Sequence, residues 1–443
     1  MGATRALARF VVQSRPEDIP APARREAVRS LVNWLGCALG GSRHEAVDIA
    51  LEALAPFAGA PQASVLGRRE RLDCMNAALV NGMSAHVLDF DDTHLRTLLH
   101  PGVPVASALL ALSERAPLTG TDFLHAFVLG VDVECRIANV IYSGHNVNWY
   151  ITGTAGVFGA AAAAGKVLGL DERQMRWAFG IAATQAAGLR EMAGTMCKSF
   201  VHGRAAQNGM SAAFLANHGF TSSERAIEAP RGFARVLAPD HRLEEVTDGL
   251  GERFEILSNT YKPHACGVVV HPVIDGCIQL REARSLASGQ VVSVALRVHP
   301  LALKLAGIRE PRGGLESKWS IYHSAAVALC DGAAGEGQYT DARVDDPAVK
   351  RLREKVSAQA DALLREDEAH VRIVMADGRV FEQHVDHAAG SADNPMSDQA
   401  LDAKFRTLAE GVLPGERVEA LLGRCRAVAG LGNVAELARL AVP

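Results

Sequence analysis

Residues 290–298 read Q-V-V-S-V-A-L-R-V, and they are the first stretch of the chain that strongly favours a β-strand. β-Branched residues fit a pleated strand, and alternating apolar residues predict a strand with one buried face. That predicted face carries four apolar side chains, Val292, Val294, Leu296 and Val298. The strand marks the change from a helical first part of the chain to a mixed second part.

A β-hairpin is predicted at residues 370–385, where two alternating runs flank an Asp-Gly pair. An Asp-Gly pair between such runs is typical of a tight hairpin turn. Helices are predicted between the strands, at residues 320–331 and 347–364. We therefore predict an α+β unit over residues 265–395.

The rest of the chain, residues 1–264 and 396–443, reads as a succession of helices. One helix is predicted over residues 23–39, and Gly40-Gly41 is expected to end it as a left-handed C-cap. Three polar residues are predicted to cap later helices, Thr121, Asp171 and Ser397. The helical tail is expected to return to the first domain.

Composition bounds the class of protein. The chain has 443 residues, 48% of them hydrophobic and 22% charged, which favours two globular domains. A formal net charge of −4 gives no electrostatic reason to bind nucleic acid or an anionic membrane. Eight scattered cysteines without a CxxC pair read as reduced thiols, and no secretion signal is evident, so a cytoplasmic location is expected.

The segment richest in reactive side chains is residues 86–100, H-V-L-D-F-D-D-T-H-L-R-T-L-L-H. Its carboxylates, Asp89, Asp91 and Asp92, are oxygen ligands that suit a hard divalent cation. Their spacing is not that of a calcium loop, and no bound metal is expected. The plain alternative is a helix end whose aspartates cap backbone amides.

Two further segments carry basic residues. In residues 188–209, Lys198, His202 and Arg204 gather at a glycine-punctuated turn before a helix, where amides and cations together favour an anion. Taken alone, a solvated basic turn explains that pattern equally simply.

The other basic segment is residues 259–272, N-T-Y-K-P-H-A-C-G-V-V-V-H-P, which lies where a cleft between domains would form. Lys262 would be an anion clamp or, if buried, a proton donor, although most lysines are merely exposed. His264 and His271 suit a structural role as well as a functional one.

The order and wording of these segments resemble the MmgE/PrpD family, which includes 2-methylcitrate dehydratase, cis-aconitate decarboxylase and iminodisuccinate epimerase. The resemblance covers most of the chain. It rests on the motifs H-x-L-D-F-D-D-T-H at 86–94, H-P-x-x-P-V at 100–105, T-G-T-x-G at 152–156, G-T-M-x-K at 194–198, G-R-A-A-Q-N-G at 203–209 and Y-K-P-x-x-C-G at 261–267, with K-F at 404–405.

The resemblance implies a mainly α protein with a large all-helical domain, residues 1–264 and 396–443, and a smaller α+β lid domain, residues 265–395. It also implies an active site between them, no metal or organic cofactor, and a homodimer. Carried over by position, the catalytic residues are Asp89, Thr93, His100, Lys198 and Lys262.

These residue types fit proton abstraction next to a carboxylate, because the resulting enolate-like anion needs a base and nearby cations. His100 or Asp89 is the predicted base, and Lys198 and Lys262 would hold the carboxylates of a small di- or tricarboxylic acid. The expected reaction is that of a hydro-lyase resembling 2-methylcitrate dehydratase. The alternatives are an epimerase of a substituted succinate, a decarboxylase, or a carboxylate-binding protein without catalysis.

Two positions depart from the family pattern. Tyr150 stands where a histidine is common, and His323 stands where a tyrosine is common. We therefore predict that Tyr150 belongs to the catalytic set as a proton donor or hydrogen-bond anchor, and that the two changes compensate each other. The predicted substrate-binding residues are His202, Arg204, His264 and His323.

Overall fold

A computed structural model describes residues 2–142 and 149–443, and helices dominate it. The α-helices are α1 (Ala3–Gln13), α2 (Ala21–Gly41), α3 (Glu45–Leu54), α4 (Cys74–Val87), α5 (Gly102–Arg115), α6 (Gly120–Tyr142), α7 (Ile151–Val167), α8 (Glu172–Gln185), α9 (Cys197–Asn217), α10 (Phe233–Leu237), α11 (His271–Arg284), α12 (Pro300–Ala306), α13 (Gly314–Ser317), α14 (Ile321–Asp331), α15 (Asp341–Asp345), α16 (Pro347–Arg353), α17 (Asp398–Ala409), α18 (Gly415–Arg426) and α19 (Ala435–Leu440). The prediction of a mainly α protein is confirmed.

The strands are few and mostly short. They are β1 (Ala63–Ser64), β2 (Arg71–Leu72), β3 (Thr93–His94), β4 (Asn259–Thr260), β5 (Val291–Val298), β6 (Val356–Ala360), β7 (Ala369–Met375) and β8 (Val380–Val385). The last four form one sheet in the order β6-β5-β7-β8, in which only the β5–β6 pair is parallel. The predicted hairpin is confirmed as β7 and β8.

The helical part is built around α7, which packs against both α6 and α9. Alanines and glycines fill α7, and side chains this small let neighbouring helix axes approach closely. Phe123, Phe127 and Phe158 are among its largest fully buried side chains. Burial of one such phenylalanine contributes about 2–3 kcal/mol, so this tight apolar interior supplies much of the folding energy.

The sheet buries one face beneath α11 and α14. In β5, Val294, Leu296 and Val298 face the core as predicted, but Val292 is exposed and Val291 is buried instead. The pairing with β7 shifts between Val291 and Ser293, and this bulge reverses the alternation at the start of the strand. The sequence pattern alone does not reveal such a shift.

The tail helices α17 and α18 pack on α2, and their apolar side chains join the core of the helical part. Ser397 caps α17 and Asp171 caps α8, as predicted. The division into an all-helical domain and a lid domain, with boundaries at 264/265 and 395/396, stays a prediction.

Three local predictions are wrong. The helix predicted over 347–364 ends at Arg353, because Val356–Ala360 instead pairs with β5 as a parallel edge strand. Gly40 and Gly41 lie inside α2 rather than capping it. A Cβ at Gly41 would lie 2.0 Å from the Ser84 carbonyl oxygen, so this glycine permits close packing of α2 on α4.

The third wrong prediction is the cap at Thr121. Helix α6 already begins at Gly120, and the residue whose hydroxyl accepts a backbone N–H, that of Asp122, is Thr119. The Thr121 hydroxyl instead donates to the Ala429 carbonyl in the tail. Tertiary contact therefore decides which of two neighbouring threonines caps the helix. Across the described residues, none of the helices has the length and apolar character needed to cross a bilayer.

Candidate active site

A two-residue antiparallel ladder brings two distant segments together. Thr93 lies opposite Thr260, and His94 lies opposite Asn259, in the β3–β4 pair. The backbone leaves α4 and turns at Asp89, which adopts a left-handed conformation with φ of 51°. This turn directs the Asp89 side chain toward the segment that carries Lys262.

Asp89 joins two lysines. Its Oδ1 lies 2.7 Å from Lys262 Nζ and 3.1 Å from Lys198 Nζ, and Lys262 Nζ also donates to the Asp89 carbonyl at 2.9 Å. Burial alone would raise the pKa of Asp89, but the two ammonium groups outweigh it and hold that pKa well below its usual range. The cluster formed by Asp89, Lys198 and Lys262 therefore holds an ionised aspartate between two cations. Two such cations could also bind the carboxylate of a substrate.

His86 links Lys198 to a second aspartate, and sequence reasoning did not select it. Its Nδ1 lies 2.8 Å from Asp91 Oδ2, and its Nε2 lies 2.5 Å from Lys198 Nζ. Burial, reinforced by the Lys198 charge, lowers the pKa of His86 well below its usual value. A neutral ring that donates from Nδ1 and accepts at Nε2 fits both contacts. Its position at the start of the H-x-L-D motif is the sequence signal that could have identified it.

His100 and His202 are anchored through one nitrogen each. His100 Nδ1 lies 2.8 Å from the Asp92 carbonyl oxygen, and His202 Nδ1 lies 3.0 Å from the Lys198 carbonyl oxygen. A carbonyl only accepts, so both rings carry the proton on Nδ1 and present Nε2 as an acceptor. Burial lowers the pKa of both histidines well below the usual value, which keeps the rings neutral.

The rings pack together with Tyr150. His202 stacks on His86 with ring centroids 3.2 Å apart, and Tyr150 meets His202 edge-on at 5.1 Å. Lys198 Nζ lies 5.1 Å from the centre of the Trp319 ring, a contact from the α+β part that sequence reasoning missed. Burial raises the pKa of Tyr150, so its hydroxyl stays protonated.

The cluster is enclosed, since Asp89, Thr93, His100, Lys198 and Lys262 are all buried. Within the described parts of the chain, three polar atoms here have no hydrogen-bond partner, Asp89 Oδ2, Thr93 Oγ1 and His202 Nε2. Buried polar atoms are rarely left unpaired, so these three atoms are ready to contact a ligand.

The spacing of three of these histidines resembles that of a metal site. Ring nitrogens of His86, His100 and His202 lie within 4.8 Å of one another, a donor set that zinc accepts. However, Lys198 Nζ already contacts His86 Nε2, and the near-parallel stack of His86 on His202 does not aim both lone pairs at one point. Two nearby ammonium groups also repel a cation. The donor set fits a metal poorly, and the absence of a metal stays a prediction.

Three predicted substrate-binding residues lie outside the cluster. Arg204 is exposed and donates to Gln207. His264 Nε2 pairs with Asp275 at 2.8 Å. His323 Nε2 lies 2.8 Å from the Gln338 carbonyl and packs near Tyr339. Of the predicted substrate-binding set, only His202 joins the catalytic residues.

Two domain models of known proteins match most of this chain. The model of the MmgE/PrpD N-terminal domain matches residues 5–246, and that of the MmgE/PrpD C-terminal domain matches residues 264–426. The two matches leave residues 247–263 between them, an interval that contains β4 and Lys262.

Curated relatives match along nearly their whole length. The cis-aconitate decarboxylase-like protein oryM of Aspergillus oryzae is 27% identical, covering 99% of this chain and 96% of the relative. Cis-aconitate decarboxylases are also 27% identical, that of Aspergillus terreus over 94% and 91% and that of Mus musculus over 94% and 88% of the two chains. With both domain models matched, this chain belongs to the MmgE/PrpD family.

Proposed function

We propose that the protein is a cofactor-independent enzyme that transfers a proton at the carbon next to a carboxylate of a small di- or tricarboxylic acid. The observation that carries the proposal is one enclosed cluster in which neutral imidazole nitrogens lie beside two ammonium groups. Removal of such a proton puts charge on the carboxylate, and preorganised cations lower the energy of that charge.

Lys198 and Lys262 are the proposed carboxylate and enolate binders. Asp89 holds both ammonium groups in position before the substrate arrives. The Thr93 hydroxyl offers a donor to the bound acid. Together these groups supply anion recognition in a buried site.

The proposed base is His100 or His202 rather than Asp89. Both rings are neutral with an accepting Nε2, whereas an aspartate whose pKa lies well below its usual range is a poor base. Tyr150, which stays protonated, is the proposed proton donor. A role for Arg204, His264 and His323 in substrate binding stays a prediction.

The first acid to test is cis-aconitate, because three of the relatives above are named for its decarboxylation or for likeness to that enzyme. Loss of CO2 leaves the electron pair of the broken C–C bond on carbon, where the lysines stabilise it until a donor returns a proton. Removal of a proton next to a carboxylate, followed by loss of the neighbouring hydroxyl as water, would instead dehydrate a citrate-like acid. Return of the proton to the opposite face would give epimerisation. Dehydration, the reaction predicted from the sequence, stays a second outcome of the same assay.

The test is incubation of the protein in heavy water with cis-aconitate, citrate-like acids and substituted succinates. CO2 release, ultraviolet absorbance of the carbon–carbon double bond and optical rotation separate decarboxylation, dehydration and epimerisation. Mass spectrometry reports deuterium incorporation whichever outcome occurs. Thermal stabilisation by an acid without deuterium incorporation would favour carboxylate binding without catalysis, and neither effect with any acid would refute the proposal.

The homodimer and the cytoplasmic location also stay predictions. Light scattering of the purified protein, with an expected mass of twice 47.0 kDa, tests the first.

A further inference from the structure

Two buried lysines outside the cluster donate hydrogen bonds to the segments that carry Asp89 and Lys262. Lys404, from α17, donates to the Phe90 carbonyl at 2.6 Å and to the Lys262 carbonyl at 2.9 Å. Its third contact is Asn33 Oδ1 at 2.8 Å. One ammonium group therefore ties the residue after Asp89 to the residue that pairs with Asp89.

Lys318 makes the equivalent contacts from the α+β part of the chain. It donates to the Leu88 carbonyl at 2.8 Å, to the Ala265 carbonyl at 2.9 Å and to Glu336 Oε1 at 2.9 Å. Leu88 precedes Asp89 and Phe90 follows it, so the two lysines hold the aspartate from both sides along the backbone.

Neither lysine is free for a substrate. An ammonium group has three N–H donors. Lys318 and Lys404 each have three acceptors within 3 Å, one for every N–H. Both side chains are buried. Removing an ammonium group from water is unfavourable, and these hydrogen bonds offset that cost.

The backbone conformation at Asp89 explains why these hydrogen bonds matter. A positive φ of 51° is uncommon for a residue other than glycine, and such a conformation persists where its surroundings hold it. Relaxation of that turn would carry the carboxylate away from both Lys198 and Lys262. The carbonyls on each side of the turn are the atoms that Lys318 and Lys404 bind.

We propose that Lys318 and Lys404 are positioning residues that hold the Asp89–Lys262 pair in its reactive geometry from the two parts of the chain. The inference rests on the proposed function, since it takes that pair to be the anion site. A displacement of 1 Å at a reacting group costs about 100-fold in rate. We expect loss of either lysine to lower kcat by about 10- to 100-fold and to change KM much less.

The experiment compares Lys404→Met and Lys318→Met with Lys166→Met as the matched control. Lys166 also donates to two carbonyls, those of Val12 and Ser14, but it does so far from the cluster on the outer end of α7. Each variant is measured for kcat and KM with the acid identified above, for melting temperature, and for hydrogen exchange by mass spectrometry.

The expected result is a lower kcat and faster exchange in peptides covering residues 86–94 and 259–267 for the first two variants only. Lys166→Met should lower the melting temperature without either effect. Lys404→Arg, which keeps the charge and several donors, should recover part of the lost kcat. If Lys404→Met does not fold, Lys404→Gln replaces it, with a smaller expected loss of kcat.

Unchanged kcat and unchanged exchange in folded Lys404 and Lys318 variants would overturn the inference. So would an equal loss of kcat in Lys166→Met. Failure of the proposed function gives a different result. In that case the wild type would show neither carboxylate binding nor turnover, or Lys198→Met would leave both unaffected. The hydrogen-exchange measurement needs no substrate. It therefore tests whether Lys318 and Lys404 hold these segments in place, even if the proposed function fails.

Discussion

Thr93 and Thr260 are direct partners in an antiparallel ladder, and the Thr260 hydroxyl donates to the Thr93 carbonyl at 2.8 Å. These residues lie 167 positions apart in the chain. Their pairing places the aspartate turn beside the lysine segment, so that Asp89 and Lys262 meet at 2.7 Å. The ladder therefore helps to position the residues of the candidate site.

Lys262→Met should lower kcat/KM by at least about 100-fold, the usual loss when a donor that stabilises an anionic transition state is removed. The side-chain volume stays similar, while Asp89 loses the closer of its two cations. Steady-state kinetics with the identified acid provide the measurement. A variant that folds with kcat/KM within threefold of the wild type would contradict the assigned role.

His202→Gln should lower kcat by about 100-fold or more if its Nε2 takes part in proton transfer. His218, the C-cap of the same helix, provides the control, since its Nδ1 also contacts the carbonyl four residues earlier, at 2.9 Å, while its ring is exposed. His218→Gln should leave kcat unchanged. Equal kcat in the two variants would assign the base to His100 instead.

Tyr150→Phe should lower kcat by about tenfold to 100-fold, because it removes a hydroxyl that burial keeps protonated and leaves the ring packed on His202. Tyr150→His tests the predicted compensation with His323. Turnover should fall, because a histidine at position 150 would then lack a matching tyrosine at position 323. Turnover by Tyr150→His that equals or exceeds the wild type would show that the two positions act independently.

Glu134→Gln should stabilise the protein more at high pH than at low pH. Glu134 is fully buried, its two carboxylate oxygens have no hydrogen-bond partner among the described residues, and burial raises its pKa well above the usual value. A raised pKa in the folded state means that the contribution of Glu134 to stability is full below pH about 4.3 and is lost as pH rises through the folded-state pKa. Glutamine does not titrate.

The melting temperature of Glu134→Gln relative to the wild type, measured from pH 5 to pH 8, checks this sign. The exposed Glu244→Gln controls for the substitution itself. A difference in melting temperature that stays constant across this range would show that Glu134 does not titrate as proposed.

Dialysis against a chelator should leave turnover unchanged, because Lys198 Nζ contacts the nitrogen that a metal would need on His86. Activity of the dialysed protein is compared with that of protein to which zinc is restored. A loss of turnover that zinc reverses would overturn the metal-free mechanism.

Much of the local structure followed from short sequence patterns. The caps Asp171 and Ser397 and the hairpin β7–β8 depend on contacts within a few residues, and these predictions are confirmed. Strand β6 was missed because its five residues take their hydrogen bonds from β5, about 60 positions earlier. The bulge in β5 was missed for the same reason.

The site divides in the same way. The motifs identified the family and the reactive residue types, and five predicted catalytic residues, Asp89, Thr93, His100, Lys198 and Lys262, lie in one buried region. The motifs did not reveal the position of His86 between Asp91 and Lys198, or the hydrogen bonds of Lys318 and Lys404. Apart from the His86–Asp91 pair, these contacts join residues from separate parts of the chain.

The sequence by itself determined most of the helices, the β7–β8 hairpin and which charged and aromatic groups are available, because helical period, capping and turn chemistry act over a few residues. Only the tertiary structure decided which nitrogen of each histidine accepts a proton and how far each pKa moves from its usual value. Those properties depend on burial and on charges within a few ångströms, and folding brings such charges together from positions more than 100 residues apart.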